Sequence, residues 1–248
     1  MKRKFVQIEN KNAIVELLEE GKTFEKILLA NNAYKDDKTK HIVNLAGKRR
    51  IPVERVSRKS INRRSNTSST ESCIALMEVD NQYSLEGMMM HIRESGYLPN
   101  ILIFSDVRYP QNIGAIFRTA YAAGVNGIIT PVMKENILSD EIIRISMGTC
   151  LRIPICEVNL FAAIKRLKKE GAEILGLDMN GSSIYDTDLT GAKAFIVGSE
   201  DLGVTPKAIE RCDKLISIPM REGLGSLNVG VSAGVVLYEK VRQEFARS

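Results

Sequence analysis

Three short stretches carry side chains suited to holding a small ligand beside a polyanion. The first is Asn112-Ile-Gly114-Ala-Ile-Phe-Arg118, which sets an amide, a missing side chain and a guanidinium within two turns of one helix. Helical side chains lean toward the helix N-terminus. Arg118 is therefore expected to reach back over Gly114 to the loop mouth, where a helix start already favours anions. The second is "FIVGSEDLG", residues 195–203, a buried strand running into Gly198-Ser199-Glu200. Gly198 would let a flat ligand lie against the backbone, and Glu200 stands at the mouth. In the third, Ile218-Pro219-Met220 ends a strand, Gly223 and Gly225 form a loop, and Ser226 and Asn228 open the last helix. One of these two polar residues is expected to cap that helix, leaving the other free. Each stretch also has an ordinary structural use: an N-cap beside a surface arginine, an exposed turn glutamate, a plain cap.

Several familiar chemistries fail on context. "GVSAG", Gly230 to Gly234, matches a hydrolase nucleophile elbow, but no histidine follows it to complete a triad. Its small residues suit a helix packed closely on other backbone. "GLGSLN" has Asn228 where a dinucleotide fingerprint needs its third glycine, and no G-x-x-x-x-G-K-[ST] phosphate loop occurs. Four cysteines, at 73, 150, 156 and 212, form no C-x-x-C pair. They are expected to be buried free thiols, with neither a disulfide framework nor a metal site.

The net charge of +5 is unevenly spread. Residues 1–64 hold 17 Lys/Arg against 8 Asp/Glu, and the remainder is net acidic. A basic end of this kind suits a polyanion, most often nucleic acid. No apolar run approaches the ~20 residues of a membrane-spanning helix. The opening "MKRKFVQIENKN" has no apolar stretch after its basic residues, so the cytoplasm is the expected location.

The elements that must position these residues follow from periodicity. "NKNAIVELLEEG" reads as a helix capped by Asn12 and stopped by Gly21. "FEKILLA", "IPVERVS" and "SCIALMEV" read as strands, with a helix over "DDKTKHIVNLAGKRR". The alternation predicts a small α/β unit with a mainly parallel sheet. "RKSINRRSNTSSTES" has the composition of a mobile loop. Residues 81–98 read as a linker with one short helix, whose triple methionine is core filler. From residue 99, six strands alternate with helices, among them "SDEIIRISMGTC" and "NLFAAIKRLKKEG". Expected domains are thus 1–80 and 99–248. The three stretches fall at the carboxyl ends of predicted strands, where ligands bind in open α/β sheets.

Taken together, "PQNIGAIFRTAYAAGVNGII", "FIVGSEDLGV" and "IPMREGLGSLNVGVSAGVVLYE" resemble the SpoU/TrmH family of SPOUT RNA methyltransferases, in order and across about residues 99–244. Residues 1–80 are similar to the L30e-like substrate-binding domain of relatives that modify 23S ribosomal RNA. The resemblance implies an α/β SPOUT domain with a trefoil knot, preceded by a small L30e-like α/β domain. It implies 2′-O-methylation of an RNA ribose with S-adenosylmethionine as donor, and a homodimer. By the same resemblance Asn112, Arg118, Glu200, Ser226 and Asn228 are catalytic. Gly198, Ile218, Met220 and Leu227 bind the donor. Arg63 and Arg64, in the polar loop, are expected to contact RNA phosphates. "SSTESCIALMEV" stands where relatives that target a 23S guanosine carry an "HQG"-like element, which leaves the target nucleotide open. Two alternatives remain: a non-catalytic RNA-binding protein of this fold, and a resistance methyltransferase acting at another nucleotide.

Overall fold

The computed structural model describes residues 5–33, 36–66, 72–132, 136–199, 203–221 and 225–247. The chain divides into two compact units: residues 1–80 with 137–151, and 81–136 with 152–248. This differs from a cut at residue 80 followed by a linker.

In the first unit the strands are β1 (Phe5–Ile8), β2 (Phe24–Ala30), β3 (Val53–Val56) and β4 (Cys73–Glu78), in the order β1-β4-β2-β3. Only β2 and β3, joined across helix α2 (Asp37–Lys48), run parallel; β4 is antiparallel to both β1 and β2. The mainly parallel sheet expected from alternation is corrected here. The unit has one crossover helix between neighbouring strands, and β4 returns the other way. Helix α1 (Lys11–Glu19) is capped by Asn10, whose Oδ1 accepts from Ala13 N at 3.1 Å, so Asn12 lies inside the helix. Its buried Ala13, Ile14, Leu17 and Leu18 form one apolar face.

The segment read as a loop contains a helix, α3 (Arg58–Arg64). Ser57 Oγ caps it by accepting from Ser60 N, and Ile61 is fully buried beneath it. Glu9 holds the far end of α3, accepting from Ser65 Oγ at 2.5 Å and Asn66 N at 2.8 Å. Asn66 Nδ2 also donates to Asp140, on helix α6 (Asp140–Ile145). Residues 137–151 therefore belong with the first unit. Their helix is shorter than its sequence pattern suggests, because Met147 and Gly148 take φ of 53° and 80°.

The second unit opens with α4 (Leu85–Glu94), which is core rather than linker: Met88, Met89 and Ile92 pack with Ile101, Ile103 and Ile129. Six strands follow: β5 (Asn100–Ser105), β6 (Gly127–Thr130), β7 (Ile155–Glu157), β8 (Glu173–Ser183), β9 (Lys193–Gly198) and β10 (Lys214–Ser217). They form a wholly parallel sheet in the order β10-β8-β9-β5-β6-β7. Every residue of β5 and β9 is buried, as befits central strands covered on both faces. The helices are α5 (Pro110–Ala122), α7 (Leu160–Lys169), α8 (Pro206–Ile209) and α9 (Val229–Phe245). Asn159 caps α7, which carries Arg166, Lys168 and Lys169 in its last turn, against the negative end of its dipole.

The closing helix α9 packs along α5. A Cβ at Gly234 would stand 3.3 Å from Thr119 Cγ2, and one at Gly230 would stand 3.7 Å from Ala115 Cβ. The far end of α9 is fastened to the chain before β9. Lys240, 2% exposed, donates to the carbonyls of Leu189 (3.2 Å) and Gly191 (2.8 Å) and pairs with Glu244. Gln243 accepts from Leu189 N and donates to Thr187 O. At the end of β9, Ser199 and Gly203 exchange backbone hydrogen bonds of 3.2 and 2.9 Å. They draw the chain so close that a Cβ on Gly198 would lie 1.8 Å from the Gly203 carbonyl carbon.

Two outcomes test this architecture. Gly198→Ala must push the Gly203 segment away from β9, and should cost about 1–3 kcal/mol in urea unfolding, as overpacking does. A loss below a few tenths of that range would refute the contact. The second concerns Asp36, the N-cap of α2, which accepts from Thr39 N at 2.9 Å and Lys11 Nζ at 2.9 Å. Burial raises its pKa, but the bonds from Lys11 and Thr39 outweigh that and hold it at about 2, below the usual 3.8. Its folded pKa is depressed, so its contribution is complete above the unfolded value and is lost as pH falls through about 2. Asp36→Ala should destabilise by about 1 kcal/mol at pH 7. The gap between the two proteins should close as pH falls from 5 toward 2, read by thermal melts.

Candidate functional site

The strand order places β9 between β5 and β8, so the chain leaves the middle of the sheet in opposite directions. Crevices outside the carboxyl ends of strands form at such points. Beside that point, at the carboxyl ends of β8, β9 and β10, opens a cavity of about 490 Å³, within the ~300–1,000 Å³ range of small-molecule sites. Gly198 and Ser199 line it from the end of β9, Ile218 and Met220 from beyond β10, and Ser226 and Leu227 from the loop into α9. All four residues expected to hold a donor, Gly198, Ile218, Met220 and Leu227, thus share one cavity.

A fourth wall comes from β8 and was not anticipated. On β10 the consecutive residues Leu215 and Ile216 pair with Gly176 and Ser182, so residues 177–181 leave the ladder. Gly181 permits the return, since a Cβ there would lie 2.5 Å from Ile216 N. The excursion carries Leu177, Asp178, Met179 and Asn180 onto the cavity wall. Asp178 Oδ1 accepts from Asn180 N at 2.9 Å and from Asn180 Nδ2 at 3.1 Å, which fixes the bend. The Asn180-Gly181 dipeptide is the one sequence signal that could have revealed it. Among the described lining residues Asp178 is the single ionisable side chain, and none is Lys or Arg.

The polar groups at the start of α9 are arranged by one amide. Asn228 Oδ1 caps the helix, accepting from Gly230 N at 2.9 Å and Val231 N at 3.3 Å. Its Nδ2 donates to Asn112 Oδ1 at 2.9 Å, joining the tail to the first turn of α5. Ser226 is exposed at the cavity rim and is not used as the cap. The structure therefore puts Ser226 on the cavity wall and joins Asn228 to Asn112 close by, with neither amide among the lining residues.

Arg118 is not on the wall. It is exposed on α5, on the stripe with Gln111 and Ala115, and has no ion-pair partner among the described residues. The lining of the cavity thus does not include the arginine expected to overhang it, although Ala115 of the same stripe meets α9 at Gly230. Glu200 and Gly223 lie outside the described residues. Arg63 and Arg64 stand in the last turn of α3, not in a loop, both exposed and without ion pairs among the described residues.

Thiol and metal chemistry find no footing among the described residues. Burial pushes the Cys150 thiol up to about 12 and those of Cys156 and Cys212 to about 11, so none is a ready nucleophile. No group of three or more His, Cys, Asp or Glu is placed to hold a metal ion.

Comparison with known proteins agrees with this geometry. Residues 99–238 match the SpoU rRNA methylase family, and residues 8–75 match the RNA 2′-O ribose methyltransferase substrate-binding family. The chain is 31% identical over 244 residues to the 23S rRNA (guanosine-2′-O-)-methyltransferase RlmB of Neisseria meningitidis, covering 97% of this chain and 92% of that one. It is 33% identical over 203 residues to RlmB of Haemophilus ducreyi, covering 79% and 81%. The fold is shared with the SpoU methyltransferase AviRb from Streptomyces viridochromogenes, solved in complex with AdoMet, at a TM-score of 0.81 and 21% identity over 98% of this chain and 91% of that one. With the matched residues spanning the whole parallel sheet and the cavity at its edge, this chain belongs to the SpoU rRNA methylase family.

Proposed function

We propose that this protein transfers a methyl group from S-adenosylmethionine to a ribose 2′-hydroxyl of RNA, with 23S ribosomal RNA as the substrate. The observation that carries the reading is the convergence of Gly198, Ile218, Met220 and Leu227 on one cavity beside the Asn112–Asn228 bond. The donor fits that cavity on chemical grounds. Its volume suits a small molecule, and its wall joins the end of β9 to the apolar side chains of Ile218, Met220 and Leu227. Among the described residues the wall offers a carboxylate and no cation to a ligand bearing a sulfonium. When bound, the donor would supply an activated methyl to the ribose oxygen and leave as its thioether, the hydroxyl proton passing to solvent.

The chain's own residues hold the reactants in line, where orientation provides much of the acceleration. Asn228 has one Nδ2 hydrogen on Asn112 and a second to offer a ribose oxygen. Ser226 presents its hydroxyl at the same rim. Arginine is effectively always protonated, so Arg118 serves as a bidentate clamp on the phosphate next to the target ribose rather than as a base.

The finer architecture follows the same reading. The segment 218–228 and α9 thread an earlier loop in a trefoil knot, a passage supported by the absence of side-chain room at Gly198. The first unit is an L30e-like RNA-binding domain, supported by its match to the substrate-binding family and by the unpaired Arg63 and Arg64 on α3. Two chains pair through the second unit. Val231, Tyr238 and Phe245 repeat every seventh residue along α9 and are all exposed, an apolar stripe suited to another helix surface. The enzyme works in the cytoplasm, where ribosomal RNA is made.

The reading is tested by incubating the protein with methyl-labelled donor and unmodified 23S RNA, then mapping the product. Label on one ribose 2′-oxygen supports it; label on a base, or none, refutes it. Arg118→Ala should cut transfer by about 10²-fold or more, the scale of a lost positioning contact, with donor affinity by calorimetry unchanged. Replacing Arg63 and Arg64 together by Ala should weaken RNA binding and reduce the slope of log K against log salt by about 1–2, at ~0.7 per phosphate on a single strand.

A further inference from the structure

We infer that the ring of Tyr109 is a stacking platform for an unpaired RNA base at or next to the methylated ribose, an assignment that rests on the methyl-transfer reading above. Tyr109 is the residue that opens α5, at the carboxyl end of β5, and it is 53% exposed. Its backbone is held on both sides. Pro110 follows and confines it to extended dihedrals, observed at φ −78° and ψ 122°. Its carbonyl accepts from Asn112 N and Ile113 N, both at 3.0 Å. The ring is thus presented from a fixed point with only two side-chain torsions to settle, which keeps the entropic cost of a contact low.

Its position selects the partner. Asn112, three residues on, is bonded to Asn228, and i,i+3 neighbours at a helix start lie roughly 5–6 Å apart. A ribose brought to Asn112 and Asn228 therefore carries its base, or that of the next nucleotide, into reach of residue 109. The other exposed tyrosine on α5, Tyr121, already lies beneath the Arg152 guanidinium at 5.2 Å. Tyr109 has no aromatic, cationic or hydrogen-bonding partner for its side chain among the described residues. A solvent-facing ring beside an acceptor site is an unspent apolar surface. RNA enzymes that act on looped strands fill such surfaces with bases.

The test compares Tyr109→Ala, Tyr109→Leu and Tyr109→Phe in the full chain, using unmodified 23S RNA as substrate. Tyr109→Ala and Tyr109→Leu should each lower kcat/KM for RNA about tenfold or more, while Tyr109→Phe stays within about twofold of the parent, since stacking needs the ring and not the hydroxyl. The leucine variant keeps apolar bulk, so its loss separates stacking from packing. Donor affinity by calorimetry should be unchanged in all three. The assignment is overturned if Tyr109→Ala keeps kcat/KM within about twofold, if Tyr109→Leu or Tyr109→Phe breaks the pattern, or if donor affinity falls with activity. Should the parent bind donor and RNA without transferring a methyl group, the methyl-transfer reading fails. Stacking is then judged by the same pattern in RNA affinity.

Discussion

Backbone meets backbone at the end of β9, and the rest of the second unit is arranged around that contact. Gly198 has no space for even a methyl group, because Gly203 turns back across it with φ of 64° and pairs with Ser199. A second such approach occurs where Gly181 meets Ile216. Both close contacts border the same cavity, whose wall combines main chain with side chains such as Leu177, Met179 and Ile218. A site of this kind recognises a ligand through N–H and C=O groups whose positions are fixed by the sheet. It also tolerates little change, since any Cβ at Gly198 moves main chain rather than a flexible tip.

The tail that closes this cavity is held at both ends by polar groups used more than once. Asn228 caps α9 with its oxygen and reaches α5 with its nitrogen. At the other end, a buried lysine would ordinarily be costly, but Lys240 has two carbonyls and a carboxylate around it, and Gln243 secures the same loop. Between these anchors lie Gly230 and Gly234, whose small size brings α9 onto α5. The motif that mimics a hydrolase elbow is thus a packing surface. Its serine, Ser232, faces the cavity as part of the wall, with no histidine beside it in the sequence.

Much of the second unit was legible because its strands are continuous apolar runs and its helices have clear caps. β5, β9 and α7 needed nothing beyond periodicity. What was not legible depended on long-range pairing. β1 is a four-residue strand that owes its state to β4, seventy residues away. The direction of β4 is set by its neighbours, and nothing in "CIALME" distinguishes parallel from antiparallel. α3 hid within a polar, basic segment because one buried residue, Ile61, is enough to anchor seven. The membership of residues 137–151 turns on Asn66 and Asp140, a pair no local pattern reveals. At the cavity, the glycine-marked ends of β9 and β10 announced themselves by composition. The β8 excursion did not, since "GLDMNG" extends a strand pattern until the register with β10 shows the break. Arg118 was placed on the right helix, but its facing required knowing which stripe of α5 meets α9.

The electrostatic needs of the two reactants are opposed, and the chain meets them in different places. RNA is a polyanion, and the positive charge of the protein is gathered in its first 64 residues, with Arg63 and Arg64 uncommitted to any carboxylate among the described residues. A sulfonium donor is a cation, and among the described residues the cavity wall holds Asp178 without lysine or arginine. A basic cavity would attract phosphate into the donor's place and raise the cost of binding the donor. Separation of the charges lets both reactants be held at once. With Asp178 the only ionisable side chain on the described wall, and that one occupied in fixing its own turn through Asn180, the enzyme relies on placement. The hydroxyl must be set in line with the methyl within a frame that backbone contacts keep from yielding.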